Sequence, residues 1–507
     1  MSKKTSRFID LLAFCLVFLP FLVGLLFQNE QYLYSGFLLN PIDGYSYLAK
    51  MQIGLRGEWV FNLPYTAQEG QGAYLFLFYI LLGHLARILN LQPIIVFHLA
   101  RLVSMAVFIY GLEAFLRSIQ VKWLKTNNTY LLAVILFGSG MGWLAGVFGV
   151  FTMDFWVAEA YPFLTLIANP HFPLGSGLFL LFLSRYQQEG GWVHWYDPFL
   201  GAALAIILPF GVVVGVVVSA IYNLLLLIQR QPIQWKLPLF YFFPAGMILI
   251  YQYAAILLDP LLAEWNFQNQ TPTPSLLIVL ISFTPLILLA VIGLIYWFFK
   301  DRDPNLNLTV AWFIGGISLA YFPFALQRRF LLGWLIPVGV LALMGLGRLV
   351  NFQIPRFRRW FWFIFSASVL TNLFLLLGAY QAFTQHQFPL YISQTDDAAL
   401  NWMQQEFCNE RPVILAPEDL GLIIPAYTNC RVIYGHPFET INAQETLEWL
   451  GRFYSGRIED DYLNQLIELY QVDYIIWRKT PITPPAGLSK NLPLVYENEQ
   501  ILIYRGK

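Results

Sequence analysis

Phe8-Ile-Asp-Leu-Leu-Ala-Phe-Cys-Leu-Val-Phe-Leu-Pro-Phe-Leu-Val-Gly-Leu-Leu-Phe27 is the stretch that decides what kind of protein this is. As a helix these residues extend about 30 Å, the thickness of a bilayer's hydrocarbon core. Lys3, Lys4 and Arg7 precede the run and Gln28-Asn29-Glu30 ends it. A secretory signal would finish in a small-x-small cleavage site, which does not follow here. The run therefore reads as an uncleaved first helix with its basic N-terminal side in the cytoplasm. Comparable runs recur as far as Leu377 in a chain of 507 residues that is 58% hydrophobic, 17% aromatic and 12% charged. Soluble domains carry about 25% charged residues, so the expected class is a polytopic α-helical membrane protein, multi-pass in the plasma (inner) membrane. The formal net charge is zero, which gives nucleic acid no electrostatic footprint. Neither Cys-x-x-Cys nor His-Glu-x-x-His spacing occurs, and only three cysteines are present.

Working outward from the first span, the basic residues set the direction of each crossing. Residues 28–72 are polar, aromatic and Gly-rich and read as an outer loop. The stretch 73–89 is interrupted by His84 and Arg87, and a stronger span follows at about 95–116, before Arg117, Lys122 and Lys125. If both cross, that basic cluster lies outside. If one crosses, it lies inside, and the preferred reading lays 73–92 along the outer interface as an amphipathic helix. A span at 130–150 then leads to an outer loop, 151–170, and one at 171–186 returns. The run 197–228 is too long for one straight helix and carries Pro209-Phe-Gly211 at its middle, so it reads as a pair of shorter helices. Spans at 238–258 and 275–299 enclose an outer loop with Asp259 and Glu264. Further spans at 308–325, 331–347 and 360–382 complete about eleven, with the C-terminal part outside.

From about residue 385 charges become frequent and apolar runs shorten to strand length, giving the expected division into a membrane domain, 1–384, and a small extracytoplasmic α/β domain, 385–507. Thr395 or Asp396 can cap a helix opening there. Strands at 412–416, 431–435 and 472–477 alternate with helical patterns and predict a small parallel sheet, closed by a hairpin over 494–504. Cys408 and Cys430 each precede a predicted strand. If those strands are neighbours, an outer location permits a disulfide.

Several residues can carry chemistry. Asp43, in Asn40-Pro-Ile-Asp-Gly-Tyr-Ser-Tyr47, reads either as a general base at an apolar boundary or as the Asp of an ordinary Asp-Gly turn. Tyr45, with Tyr47 and Trp59, can stack on a sugar ring or anchor the interface. Asp154 and Glu159 flank an apolar Phe155-Trp-Val-Ala segment, with His171 at the loop's edge. Arg328 and Arg329 interrupt apolar spans on the outer side, where a guanidinium fork suits a phosphate oxygen. The other readings for that pair are lipid headgroups or an ion pair with Asp43 or Glu159. His98 and Arg101 read as a buried, hydrogen-bonded pair. In the tail, His436 and Glu439 of Gly435-His-Pro-Phe-Glu-Thr440 follow a strand, where α/β sheets bind ligands. They read as acceptor contacts or as a turn with a local hydrogen bond.

The arrangement resembles the GT-C superfamily of membrane glycosyltransferases, including the protein O-mannosyltransferase and aminoarabinose transferase branches. The likeness lies in the outer loop with Asp43, the interfacial helix after it, the acidic residues of the next outer loop and the appended soluble domain. Ala399-Leu-Asn-Trp402, Pro425-Ala-Tyr427, Gly435-His-Pro437 and the closing Val495-Tyr-Glu-Asn498 with Ile503-Tyr504 are similar to tails of bacterial members. The resemblance implies transfer of a sugar from a polyprenyl-phosphate carrier to a glycan, lipid or protein acceptor on the extracytoplasmic face. It implies Asp43 as base and Arg328 or Arg329 on the carrier phosphate. The charge-derived topology puts these residues on one side of the membrane, which predicts one cavity with Asp154 or Glu159 on its wall. The expected partners are the lipid-linked donor, membrane lipids and that acceptor, with no nucleic acid. No cofactor is called for with certainty, and a divalent metal is left open. Many members have an acidic pair in the first loop, whereas here Gly44 follows Asp43. The other function class is a transporter or flippase of lipid-linked sugars, although the corresponding broken halves typical of transporters are not seen in the sequence.

Overall fold

A computed structural model of the chain describes residues 3–188, 192–456, 460–479 and 492–506, with residues 482, 484, 485 and 488. The chain forms two compact units: Met1–Leu22 with His98–Ile250 and Thr271–Gln381, and Val23–Phe97 with Tyr251–Gln270 and Ala382–Lys507.

Among the described residues, six helices are long and apolar enough to cross a membrane: Arg7–Leu26, Pro93–Ser118, Asn128–Val147, Pro209–Ile228, Lys236–Leu258 and Ile354–Thr384. The other expected spans are helical but fall short as straight crossings. Asp197–Ile207, Asn307–Ala320 and Leu335–Leu349 have 11, 14 and 15 residues, so they extend only about 16–23 Å. His171–Gln188 has 18 residues but ends in a polar turn. The run 197–228 divides as expected, with Pro209 opening its second helix. The stretch 275–299, expected as one span, is instead two helices, Leu276–Phe283 and Leu286–Asp301, bent by 94°. The reason lies in Thr284-Pro285: proline has no N–H to donate and drives the preceding residue out of the helical region, and Thr284 has ψ 141°.

In the first unit, the helix Leu335–Leu349 is buried from Leu335 through Gly347 and packs against Leu286–Tyr296. Small residues set how closely the two backbones approach. A Cβ on Gly293 would strike the Leu341 carbonyl, and one on Gly345 the Leu289 carbonyl. Two buried indoles fix the segment before this helix. Trp312 donates to the Leu332 carbonyl (3.1 Å) and Trp334 to that of Phe313 (2.9 Å).

The second unit contains the strands β1 (Tyr32–Tyr34), β2 (Tyr391–Ser393), β3 (Val413–Leu415), β4 (Arg431–Val432), β5 (Tyr474–Arg478), β6 (Leu494–Glu497) and β7 (Ile501–Arg505). β1 and β2 pair antiparallel, Leu33 opposite Ile392. The others form a sheet of order β4-β3-β5-β7-β6, parallel from β4 to β5 and antiparallel beyond. The predicted parallel strands and closing hairpin are thus found in place. Because β3 and β4 are neighbours, Cys408 and Cys430 meet and form a disulfide, with Cα atoms 4.8 Å apart. The helix Gln394–Glu406 is capped by Ser393, whose hydroxyl accepts from the Asp396 N–H at 3.0 Å. Thr395 and Asp396 were the expected caps, but the helix starts before them, and Ser393 has the extended backbone that a cap requires.

A second correction bears on function. The stretch 40–47 is not a loop: Pro41–Arg56 is a helix with Pro41 in its first turn and Asn40 before it at φ 52°. Proline is favoured there because its missing N–H has no helical partner in any case. The helix is buried over much of its length and packs on Leu77–Leu89 through Gly54 and Gly83, where added Cβ atoms would strike the Ile80 and Met51 carbonyls. Leu77–Leu89 itself has 13 residues, about 20 Å.

Candidate active site

Asp43 lies in the first turn of Pro41–Arg56, where the unpaired N–H groups and the positive end of the helix dipole favour a carboxylate. Its side chain is 44% exposed, and its Oδ1 is 3.5 Å from Nε2 of the buried His436. His436 comes from the loop 435–440 that follows β4. Thr440 Oγ1 accepts from the N–H groups of Gly435 and His436, both at 3.3 Å, and His436 Nδ1 accepts from the Phe438 N–H at 3.1 Å. The Tyr65 ring lies 5.6 Å from the imidazole, and its hydroxyl donates to the Leu422 carbonyl.

Three residues after His436, Glu439 turns back to the same helix. Lys50 Nζ, with a fully buried side chain, is 2.7 Å from Glu439 Oε1. Ser46 stands between them, donating to Glu439 and accepting from Lys50. The ammonium lies 4.4 Å from the centre of the Phe76 ring. Burial alone would push the Glu439 carboxyl up, but the Lys50 charge, the His436 ring and the hydrogen bonds from Lys50 and Ser46 outweigh it and hold it below the usual glutamate range. The tail loop is thus joined to the Asp43 helix by a buried ion pair. His436 and Glu439 do more than make a local turn, and Lys50 and Ser46 were missed. The signal was present: Asp43, Ser46 and Lys50 recur at i, i+3 and i+7, and Lys50 is a lone cation in Leu48-Ala-Lys-Met51.

The aromatic candidates separate. Tyr45 is fully buried, donates to the Pro389 carbonyl at 2.8 Å and packs on Phe37. It offers no open ring face to a sugar, because a Tyr two residues past Asp43 on a helix turns toward the core. Tyr47 stacks on Tyr79, and Trp59, exposed, stacks on His84.

The other sequence candidates lie in the first unit. Arg328 and Arg329 are in a short 3-10 helix, Gln327–Leu331. Arg329 Nε is 4.0 Å from Glu159 Oε1, one of the ion pairs the sequence allowed. The Arg328 guanidinium lies 4.6 Å from the centre of the Trp156 ring. Backbone bonds join the two segments, from Gly333 N–H to the Glu159 carbonyl (2.7 Å) and from Leu335 N–H to that of Ala160 (3.2 Å). Asp154 is wholly buried and accepts from the N–H groups of Gly140 and Gly142 and from the Thr152 hydroxyl. Burial raises its carboxyl above the usual range, against hydroxyl bonds from Thr152 and Thr371 and the two backbone donors. Its surroundings are those of a structural knot. His171, buried, opens His171–Gln188 against the Phe172 ring. Arg101 has the expected buried role, donating to the Ile167 and Ala168 carbonyls under the Phe21 ring.

For a divalent metal, the donor set decides. Among the described residues, no group of three or more His, Cys, Asp and Glu is placed to hold one. In the second unit, Glu439, which follows His436 in the loop that meets Asp43, already faces an ammonium, so this set does not fit a divalent cation.

No family model and no curated protein matches the chain. Solved structures do match. The oligosaccharyltransferase of Archaeoglobus fulgidus, tethered with an acceptor peptide containing the NVT sequon, is similar with a TM-score of 0.53 at 12% identity, covering 92% of this chain and 69% of that one. Its apo form gives 0.50 at 12% identity over the same shares. ArnT from Cupriavidus metallidurans, bound to undecaprenyl phosphate, gives 0.46 at 10% identity, covering 97% of each chain. The first two carry the fold assignment: the chain shares the fold of this archaeal oligosaccharyltransferase.

Proposed function

We propose that this chain is a membrane glycosyltransferase that moves a sugar from a polyprenyl-phosphate-linked donor to an acceptor on the extracytoplasmic face. The fold likeness carries this reading, because the oligosaccharyltransferase it resembles transfers sugar to a peptide acceptor. The membrane part is 1–384 and the extracytoplasmic part 385–507. Asp43 takes the proton of the acceptor hydroxyl as its oxygen attacks the anomeric carbon. The bond from that carbon to the phosphate oxygen breaks, and the phosphate leaves with the electron pair, its charge stabilised by Arg329 or Arg328. Inversion at the anomeric carbon follows from the single displacement. Asp43 lies in the second unit and the arginines in the first. Glu159 serves behind the arginines as the counter-ion that aligns Arg329 until phosphate arrives, and Asp154 holds the turn that precedes Glu159. His171 is a further donor contact.

The test is turnover of a panel of polyprenyl-phosphate sugars by the purified full-length protein, read as released polyprenyl phosphate. Asp43→Asn keeps the shape but removes the basic oxygen, and turnover should fall on the order of 10²-fold. Arg328→Ala and Arg329→Ala, made singly, should raise the donor KM for the one that holds phosphate. Full activity of Asp43→Asn would remove Asp43 as the base.

A second reading has one observation in its favour. The helix pair Leu276–Phe283 and Leu286–Asp301, bent by 94°, is the kind of broken span that lines transporter sites. Movement of the labelled donor across vesicles without transfer would establish a flippase instead.

A further inference from the structure

We propose that the loop 435–440 is a positioning device for Asp43, with His436 as the positioning residue and the Lys50–Glu439 pair as its clamp. The inference rests on the reading of Asp43 as base and adds what orients it.

The imidazole has a defined tautomer. Nδ1 accepts the Phe438 N–H, so in the neutral ring the proton is on Nε2. Nε2 is buried and has no hydrogen-bond partner among the described residues, and the Asp43 carboxylate is 3.5 Å away. A buried donor aimed at a half-exposed carboxylate is the geometry of a base held by a third group. Such contacts are often long without substrate and tighten when it binds. His436 keeps its own proton throughout.

The loop cannot drift along the helix, because it is attached at a second point. Glu439 grips Ser46 and Lys50 on the face that carries Asp43, so the spacing of one loop matches two turns of one helix. Asn269 Nδ2 donates to the Phe438 carbonyl and Gln268 Nε2 to the Thr440 carbonyl, both at 2.6 Å, which ties the loop from its far side. The titratable groups about the imidazole are Asp43, Glu439 and Tyr65, with Lys50 behind Glu439.

The experiment is a double-mutant cycle on the full-length protein, using the panel donor that turns over fastest. His436→Ala should lower kcat about 10–100-fold with donor KM within about threefold of the parent. His436→Gln, which keeps an N–H donor at the same reach, should recover most of the loss. In an Asp43→Asn background, His436→Ala should cost almost nothing further. If His436→Ala cannot be purified folded, His436→Phe, which fills the space without a donor, takes its place in the cycle. An equal loss in both backgrounds, or His436→Gln as slow as His436→Ala, would overturn the positioning role while leaving Asp43 as base. A fully active Asp43→Asn, or a panel with no turnover at all, would instead remove the reading beneath it, and the inference with it.

Discussion

Replacing Lys50 by Met keeps most of the side chain's volume and removes its charge. At the observed 2.7 Å, the ammonium and the Glu439 carboxylate attract by about 6 kcal/mol for an effective dielectric near 20. The variant need not lose all of this, because Glu439 can escape by protonating. Holding a carboxyl of ordinary pKa near 4.3 neutral at pH 7 costs about 3.7 kcal/mol, which sets a ceiling. The expected loss is therefore about 3 kcal/mol at neutral pH and no more than about 3.7, in the range for buried pairs deprived of one partner. The sign of its pH dependence is fixed. In the parent, Glu439 is held below the usual glutamate range, so its contribution is complete above that range and is lost as pH falls through the lower folded value. In Lys50→Met, burial without the ammonium raises the carboxyl, so the deficit is largest at pH 7 and shrinks to about 1 kcal/mol at pH 5. Adding Glu439→Gln should recover most of it. The assay is hydrogen exchange of residues 41–56 and 435–440 in the full-length protein in detergent, corrected for intrinsic rates and read as local opening free energy. A deficit that stays flat between pH 5 and 7, or a double variant weaker than Lys50→Met alone, would refute the reasoning.

Unreduced protein should yield Cys408 and Cys430 as one linked peptide pair, and replacing both by Ser should destabilise the tail by about 3 kcal/mol for a closed loop with a separation of 22 residues. Quantitative labelling of both thiols in unreduced protein would contradict the bond. Reporter fusions at Lys507 and Lys122 should report outside and cytoplasm, respectively. A cytoplasmic signal at Lys507 would end the transferase reading as drawn, and an outside signal at Lys122 would mean that 73–92 crosses.

Features set by local pattern were legible in the sequence. The Pro209 break follows from one residue's lost N–H, and the tail's strands and closing hairpin follow from short apolar runs between helical patterns. The Thr284-Pro285 bend was missed because the apolar run continues through it and hydropathy is blind to a backbone break. The stretch around Asp43 read as a loop, since Asp-Gly is common in turns; Pro41 at the start of a buried helix won over it. The Lys50–Glu439 pair was out of reach for a different reason. Each residue is unremarkable in its own window, and their meeting depends on a tertiary arrangement that no local period encodes. Arg328 and Arg329 stood out because cations are scarce on an outer membrane face, whereas the aromatic and acidic neighbours that hold them come from distant segments.

The second unit is gathered from three stretches, 23–97, 251–270 and 382–507, and this sets a clock during synthesis. Lys50 precedes Glu439 by 389 residues. At about 5–20 residues per second, the helix bearing Asp43 is made some 20–80 s before its counter-ion exists. Through that interval an ammonium destined for complete burial, and a strand, β1, destined to pair with β2, are without their native partners. A ribosome-bound chain halted before β2 would therefore present Asp43 on a helix packed on Leu77–Leu89 but without the loop 435–440, and the helix and loop would be joined only as the last quarter of the polypeptide emerges.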